Sequence, residues 1–168
     1  MKNKKIDEIL KELIPYVVVV IVVLLIKAFI VSPIRVDGDS MDNTLYNGDI
    51  MILDEISYRF NDIKRFDIVV VKADGEYLIK RVIALPGEKV KYKNGKLFIN
   101  NKYVKEEFDH SETEDFDEIK IGKGKYFVMG DNRKVSLDSR YLGPFSKNKI
   151  KGHTGLVLFP FSRFGVKK

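Results

Sequence analysis

Val90-Lys91-Tyr92-Lys93-Asn94-Gly95-Lys96-Leu97-Phe98-Ile99 decides the fold class of this chain. Two β-prone runs flank Asn94-Gly95, and that dipeptide predicts a tight hairpin, because a primed two-residue turn needs positive φ at both central positions. Short runs rich in β-formers recur at residues 34–36, 49–53, 68–71, 77–83, 89–92, 97–99, 126–129 and 154–159. Neither a repeat period nor a strand–helix alternation organises them. The expected fold is therefore mostly β, an antiparallel sandwich or partly open β-barrel.

Toward the N-terminus the pattern changes at Pro33. Residues 13–31 form a nearly unbroken apolar run, long enough at about 1.5 Å per residue to cross a hydrocarbon core about 30 Å thick. Pro15 falls near its start, where a missing N–H costs little. Lys27 is the one interior charge, and its ammonium can snorkel to the headgroups. A cleaved signal peptide is the competing reading, with Lys2, Lys4, Lys5 and Lys11 as its basic flank. The length of the run argues against it, as does the lack of a small-x-small pattern in Ser32-Pro33-Ile34-Arg35-Val36-Asp37. Lysines before the span place the N-terminus in the cytoplasm. Three parts are expected: a cytoplasmic segment 1–12, one transmembrane helix 13–31 and an extracytoplasmic β domain 32–168.

A chain of 168 residues, 45% hydrophobic, has room for one substantial domain beyond such an anchor. Its net charge of +6 comes from basic and acidic residues that are interspersed, with no aromatic-basic stripe for a phosphate backbone, so nucleic acid is not an expected partner. A basic excess suits a membrane lipid surface. The absence of cysteine removes disulfides, thiolate nucleophiles and zinc-cysteine sites. The acidic segment 106–118 reads as a solvated loop and lacks the glycine-containing spacing of a calcium loop, so no metal site is expected.

A serine becomes a useful nucleophile only when a base takes its proton. His110 lies in the acidic segment and His153 at the edge of a late strand, and neither has a Ser-His-Asp context. A lysine can serve instead if apolar burial lowers its pKa from about 10.4. Lys80 qualifies, because residues 78, 80 and 82 share one face of a strand and place it between Leu78 and Val82, while Arg81 points away. Taken singly, Lys80 reads as a surface lysine and Ser40 as a capping or turn serine.

The ordered series reverses that. Ser40-Met41 with Thr44-Leu45, Gly48-Asp49, Lys80-Arg81-Val82 with Pro86-Gly87, Gly130-Asp131-Asn132-Arg133 and Ser136-Leu137-Asp138-Ser139-Arg140 together resemble the motifs of bacterial type I signal peptidases. Those are membrane-bound Ser-Lys proteases that remove signal peptides from exported preproteins. The resemblance extends from near Ile14 to Phe159-Pro160-Phe161-Ser162-Arg163-Phe164-Gly165. It implies Ser40 as nucleophile, Lys80 as general base and an acyl-enzyme, with Ser136 orienting the lysine and Asp138 with Arg140 as a supporting ion pair. It further implies a groove between the strand leading to Ser40 and the strand carrying Lys80. Val36, Gly38, Met41, Leu45, Leu78 and Ile79 would supply its small apolar pockets. No cofactor is implied; the partners would be secretory preproteins, lipid and the export machinery.

The chain departs from that pattern at Asn43, where many members have proline, and at Lys134-Val135, which replaces a more polar pair. Gly38 stands where some members supply a serine hydroxyl to the oxyanion hole. Two other readings stay open from sequence: a self-cleaving Ser-Lys protease of the repressor type, and an anchored β module that binds an envelope partner.

Overall fold

The computed structural model describes the backbone of residues 2–29 and 31–167, and the side chains of Ile9, residues 11–23 and residues 32–167. A helix α1 spans Lys2–Phe29 and is followed at once by strand β1, Val31–Arg35. The helix begins well before Leu13 and holds Pro15 in its interior, and Val31, the last residue of the expected span, opens β1. Described apolar side chains such as Ile14, Val19 and Val23 are exposed, with nothing else of the chain covering them. Among the described residues no helix is long and apolar enough to cross a membrane. Lys27 and much of the expected span's far end lie outside the described side chains.

The remainder is antiparallel β structure in two sheets. The strands that follow are β2 (Ile50–Asp54), β3 (Ile68–Ala73), β4 (Glu76–Ala84), β5 (Lys89–Lys93), β6 (Lys96–Ile99), β7 (Lys102–Tyr103) and β8 (Phe116–Lys120). They continue with β9 (Lys125–Met129), β10 (Phe145–Ser146), β11 (Ile150–Phe159) and β12 (Gly165–Val166), and two four-residue helices, α2 (Ser57–Phe60) and α3 (Ser139–Leu142), lie between strands. The larger sheet has the order β1-β2-β11-β3-β4-β9-β10 with β12 added to β11; the smaller has the order β7-β6-β5-β8. Neither closes into a barrel.

The smaller sheet is an excursion from the larger one. It leaves after β4 through the Pro86-Gly87 turn, where Gly87 takes a φ of 84°, and returns at β9. Its hairpin is the expected one: Asn94 and Gly95 have φ of 52° and 66°, the left-handed pair a primed turn requires. Val90, Tyr92, Leu97 and Ile99 turn inward onto Ile83, Phe127 and Met129 of the larger sheet, joining both sheets in one cluster. β8 was not expected. It begins in the acidic segment and runs past it to Lys120, with Ile119 paired to Val90 of β5 and the acidic Asp117 and Glu118 exposed.

Two further clusters sandwich the larger sheet. Val69, Val71, Val82, Tyr126 and Val128 belong to one, and Val36, Met41, Leu45, Met51, Ile68 and Val157 to the other. Ile68-Val69-Val70-Val71 is an unbroken apolar run because β3 is buried on both faces. At β11, a side chain on Gly152 would overlap the Asp54 carbonyl, so only glycine lets β2 and β11 approach there.

Candidate active site

The turn that carries Ser40 is held from beneath. Val36 donates to and accepts from the segment before β2, through Val36 N to Asp49 O at 2.8 Å and Gly48 N to Val36 O at 2.9 Å. Gly38 then takes a φ of 85°, which sends the chain sharply into a single helical turn closed by Leu45 N to Met41 O at 2.8 Å. Met41 and Leu45 drop into the core at 1% and 0% exposure, leaving Ser40 half-buried above them. Asn43 completes the turn at a φ of 86°, a value proline cannot adopt, so the departure at this position follows the path of the chain.

Lys80 lies opposite Val69 in the ladder between β3 and β4. Alternation sets its surroundings as expected, with Leu78 and Val82 both packed into the cluster on that face. Its ammonium reaches Ser40, with Nζ donating to Oγ at 2.6 Å, and the side chain is only 2% exposed. Burial pulls Lys80 down from its ordinary 10.5 to about 8, against the opposing pull of Asp138 and Asp131, with Arg140 adding to the fall. A lysine in that state is about one-tenth neutral at pH 7 and about half neutral at pH 8, and a neutral amine at this distance can accept the serine proton. Among the described residues nothing accepts from the Ser40 backbone N–H, which is left free for an oxyanion.

The third segment, Gly130 to Arg140, clasps this pair. Asn132 N–H donates to the Ser40 carbonyl at 3.1 Å, and Asn132 Nδ2 to the Asp39 carbonyl at 3.1 Å. Gly130 N–H donates to both Ser136 Oγ and Asp138 Oδ2 at 3.1 Å. A Cβ at Gly130 would overlap the Ser40 carbonyl oxygen and the Ser136 side chain together. Asp138 receives Arg140 Nε and Nη2, both at 2.9 Å, and caps the first turn of α3 through Arg140 N–H. Ser136 was expected to orient Lys80. The structure engages its hydroxyl with Gly130 N–H, and among the described residues the Lys80 ammonium hydrogen-bonds only to Ser40.

The six expected pocket residues divide. Val36, Met41 and Leu45 are core side chains supporting the serine turn. Leu78 packs into the neighbouring cluster, and a Cβ on Gly38 would meet open space. Ile79 lines a cavity of about 370 Å³ with Ile34, Leu53, Val70 and Tyr77. Because β1 and β4 stand far apart in strand order, that shared cavity is the concave side of a strongly curled sheet.

Two buried charge networks escaped the sequence reading. Arg81, 1% exposed, donates from Nε and Nη2 to the two oxygens of Asp131 at 2.9 and 2.6 Å, and Thr44 Oγ1 donates to Asp131 at 2.6 Å. One residue from each of the three segments is thus tied into a single cluster. Arg133, also buried, binds Glu106, Tyr92 and Thr113. The available signal was an arginine inside an apolar strand, which demands a carboxylate partner; sequence alone does not say which. The acidic segment is accordingly not a simple solvated loop, since Glu106 and Thr113 are held inside. Arg163, from the closing segment, pairs with Asp49 at 3.0 Å and donates to the Thr44 carbonyl at 3.0 Å, bracing the serine turn from its other side.

His110 contacts Glu106, and His153 stacks edge-on against Tyr58; neither bonds to Ser40. Among the described residues no group of three or more His, Cys, Asp or Glu could hold a metal ion.

The family model described as signal peptidase, peptidase S26, matches residues 9–159. Signal peptidase I S of Bacillus subtilis is 42% identical over 160 residues, covering 87% of this chain and 86% of that protein. A signal peptidase I of Bacillus amyloliquefaciens is 38% identical over 164 residues, covering 90% and 89%. The crystal structure of a signal peptidase I from Enterococcus faecalis superposes with a TM-score of 0.50 at 32% identity, covering 55% of this chain and 97% of that one. The matched span takes in all three segments that meet around Ser40, and by it the chain belongs to peptidase family S26, the signal peptidases, and is a serine peptidase.

Proposed function

We propose that this chain removes signal peptides from secretory preproteins with a Ser40-Lys80 dyad, while held at a membrane by its N-terminal helix. The observation that carries the reading is a lysine amine 2.6 Å from a serine hydroxyl with the lysine 2% exposed. Neutral Lys80 takes the Ser40 proton as Oγ attacks the scissile carbonyl carbon, and the Ser40 N–H donates to the oxyanion that forms. The Lys80 ammonium then protonates the leaving amine, and the acyl-enzyme remains. Water attacks that ester with Lys80 again as base, restoring Ser40. Ser136, Asp138 and Arg140 act from behind by fixing the Gly130 loop. The preprotein lies extended along the curled sheet beside Ser40, and the apolar cavity at Ile79 accepts one of its side chains.

Ser40→Ala removes the attacking oxygen and little volume. Single-turnover cleavage of a preprotein in detergent is expected to vanish in that variant while its unfolding curve stays within about 0.5 kcal/mol of the parent. Retained cleavage would sink the assignment of the nucleophile.

Anchoring rests on α1, whose described apolar side chains are left uncovered by the fold, and on lysines ahead of the apolar run. Lipid would surround the helix and the export machinery would deliver substrate. The full chain is expected to stay with membranes through alkaline extraction, and release into the supernatant would count against the anchor.

A further inference from the structure

The acidic segment that links β7 to β8 within the smaller sheet runs back over the Gly130 loop. Ser111 N–H donates to the Asp131 carbonyl at 3.0 Å, and the Phe108 ring covers the Arg81 guanidinium at 4.0 Å. Beneath it, Arg133 has a fully buried guanidinium that converges four groups: Nε on the Gly130 carbonyl at 3.0 Å, Nη1 on Tyr92 Oη at 2.7 Å and on Thr113 Oγ1 at 2.5 Å, and Nη2 on Glu106 Oε1 at 2.5 Å. Glu106, itself 5% exposed at the side chain, is the one carboxylate on that cation among the described residues and also accepts from Tyr92 Oη at 2.7 Å. The backbone carbonyl of Arg133 receives Arg140 Nη2 at 2.6 Å. The chain from Glu106 to Arg133 to Gly130 therefore ends on the residue that separates the Ser40 carbonyl from Ser136.

We propose that Glu106 is a positioning residue of the peptidase site: through Arg133 it sets the Gly130–Asp138 loop against the Ser40 turn. The proposal rests on the Ser40-Lys80 reading. Glu106 touches neither substrate nor the reacting atoms, and it lies with the smaller sheet rather than along the groove. Its influence must pass through loop placement. Loop placement governs two things: the orientation of Ser40 through Asn132, and the nearness to Lys80 of Asp131, Asp138 and Arg140, the charged groups that act on it. A slip of about 1 Å at such a distance from the chemistry can cost about a hundredfold in rate.

The test is steady-state cleavage of a preprotein by the full chain in detergent, with substrate varied, followed from pH 6 to 10 and normalised to folded protein, for Glu106→Gln, Tyr92→Phe and Thr113→Val. The two hydroxyl deletions each take one partner from the guanidinium while leaving the ion pair, and they carry the test if Glu106→Gln does not fold. Expected are a kcat about tenfold lower in Glu106→Gln, smaller losses in the other two, an unchanged KM, and a pH midpoint moved from the parent's. Lys89→Ala, which breaks the exposed Lys89–Glu118 pair of the same sheet, should change none of these. If cleavage by the parent depends on Lys80 and every variant keeps the parent's kcat and midpoint, the proposal falls and the dyad stands. If Lys80→Met cleaves normally, the dyad and the proposal fall together.

Discussion

Lys80→Met is expected to abolish acyl-enzyme formation and, at neutral pH, to make the fold more stable. Both effects come from one fact, that a 2% exposed ammonium has been pulled from 10.5 to about 8 by loss of water. Between those two values the unfolded chain binds a proton that the folded chain has released, so stability rises with pH through this window. Below pH 8 the folded protein carries the full cost of the buried charge, on the order of 3 kcal/mol. Methionine fills the same space without a charge and recovers most of it. Urea unfolding at pH 7 and pH 10.5 checks this: the variant's advantage should be large at the lower pH and shrink at the higher. The parent's single-turnover rate should rise with pH and level off above about 8 as the amine becomes neutral. Detectable acylation by Lys80→Met, or a variant weaker than the parent at pH 7, would contradict the account.

Gly130→Ala is expected to be the most damaging substitution that leaves every reacting atom in place. The added methyl would overlap the Ser40 carbonyl oxygen on one side and Ser136 on the other. The Ser40 carbonyl is main chain and cannot swing aside, so the loop must move. Overpacking of this kind costs about 1–3 kcal/mol, and the loss in cleavage should reach about a hundredfold or more, since Asn132 N–H then no longer meets Ser40. Shortening Ser136 to glycine in the same chain should not restore activity, because the clash with Ser40 persists. Comparison of kcat for the single and double variants decides it; recovery in the double variant would place the obstruction at Ser136 alone.

The long strands were readable because each buries a face or both. Val90 and Tyr92, or Ile68 through Val71, cannot be placed otherwise, and Asn94-Gly95 fixed the one turn whose backbone demands those residues. The two-residue strands β7, β10 and β12 carry no period at all, and β8 was concealed because its outward positions are acidic. For the site, neither Ser40 nor Lys80 is unusual by type. Their significance came from the order of motifs, and alternation along β4 then supplied the apolar neighbours of Lys80. What could not be read were partners distant in sequence. Arg81 and Asp131 are 50 positions apart and Glu106 and Arg133 are 27 apart, and nothing local in either stretch announces the other. Met41 and Leu45, expected to line a substrate pocket, lie buried beneath the serine turn, a placement their sequence pattern shares with any apolar residue beside a turn.

Lys80 and Arg81 are neighbours on β4 whose side chains leave the strand on opposite faces, one toward Ser40 and the other toward Asp131. A slip of β4 by a single residue would exchange them. It would put a guanidinium that cannot lose its proton beside the nucleophile, and the proton-accepting amine against the carboxylate that suppresses its function. Under the proposed dyad such a product has no base beside Ser40, so catalytic turnover reports the register of β4 directly.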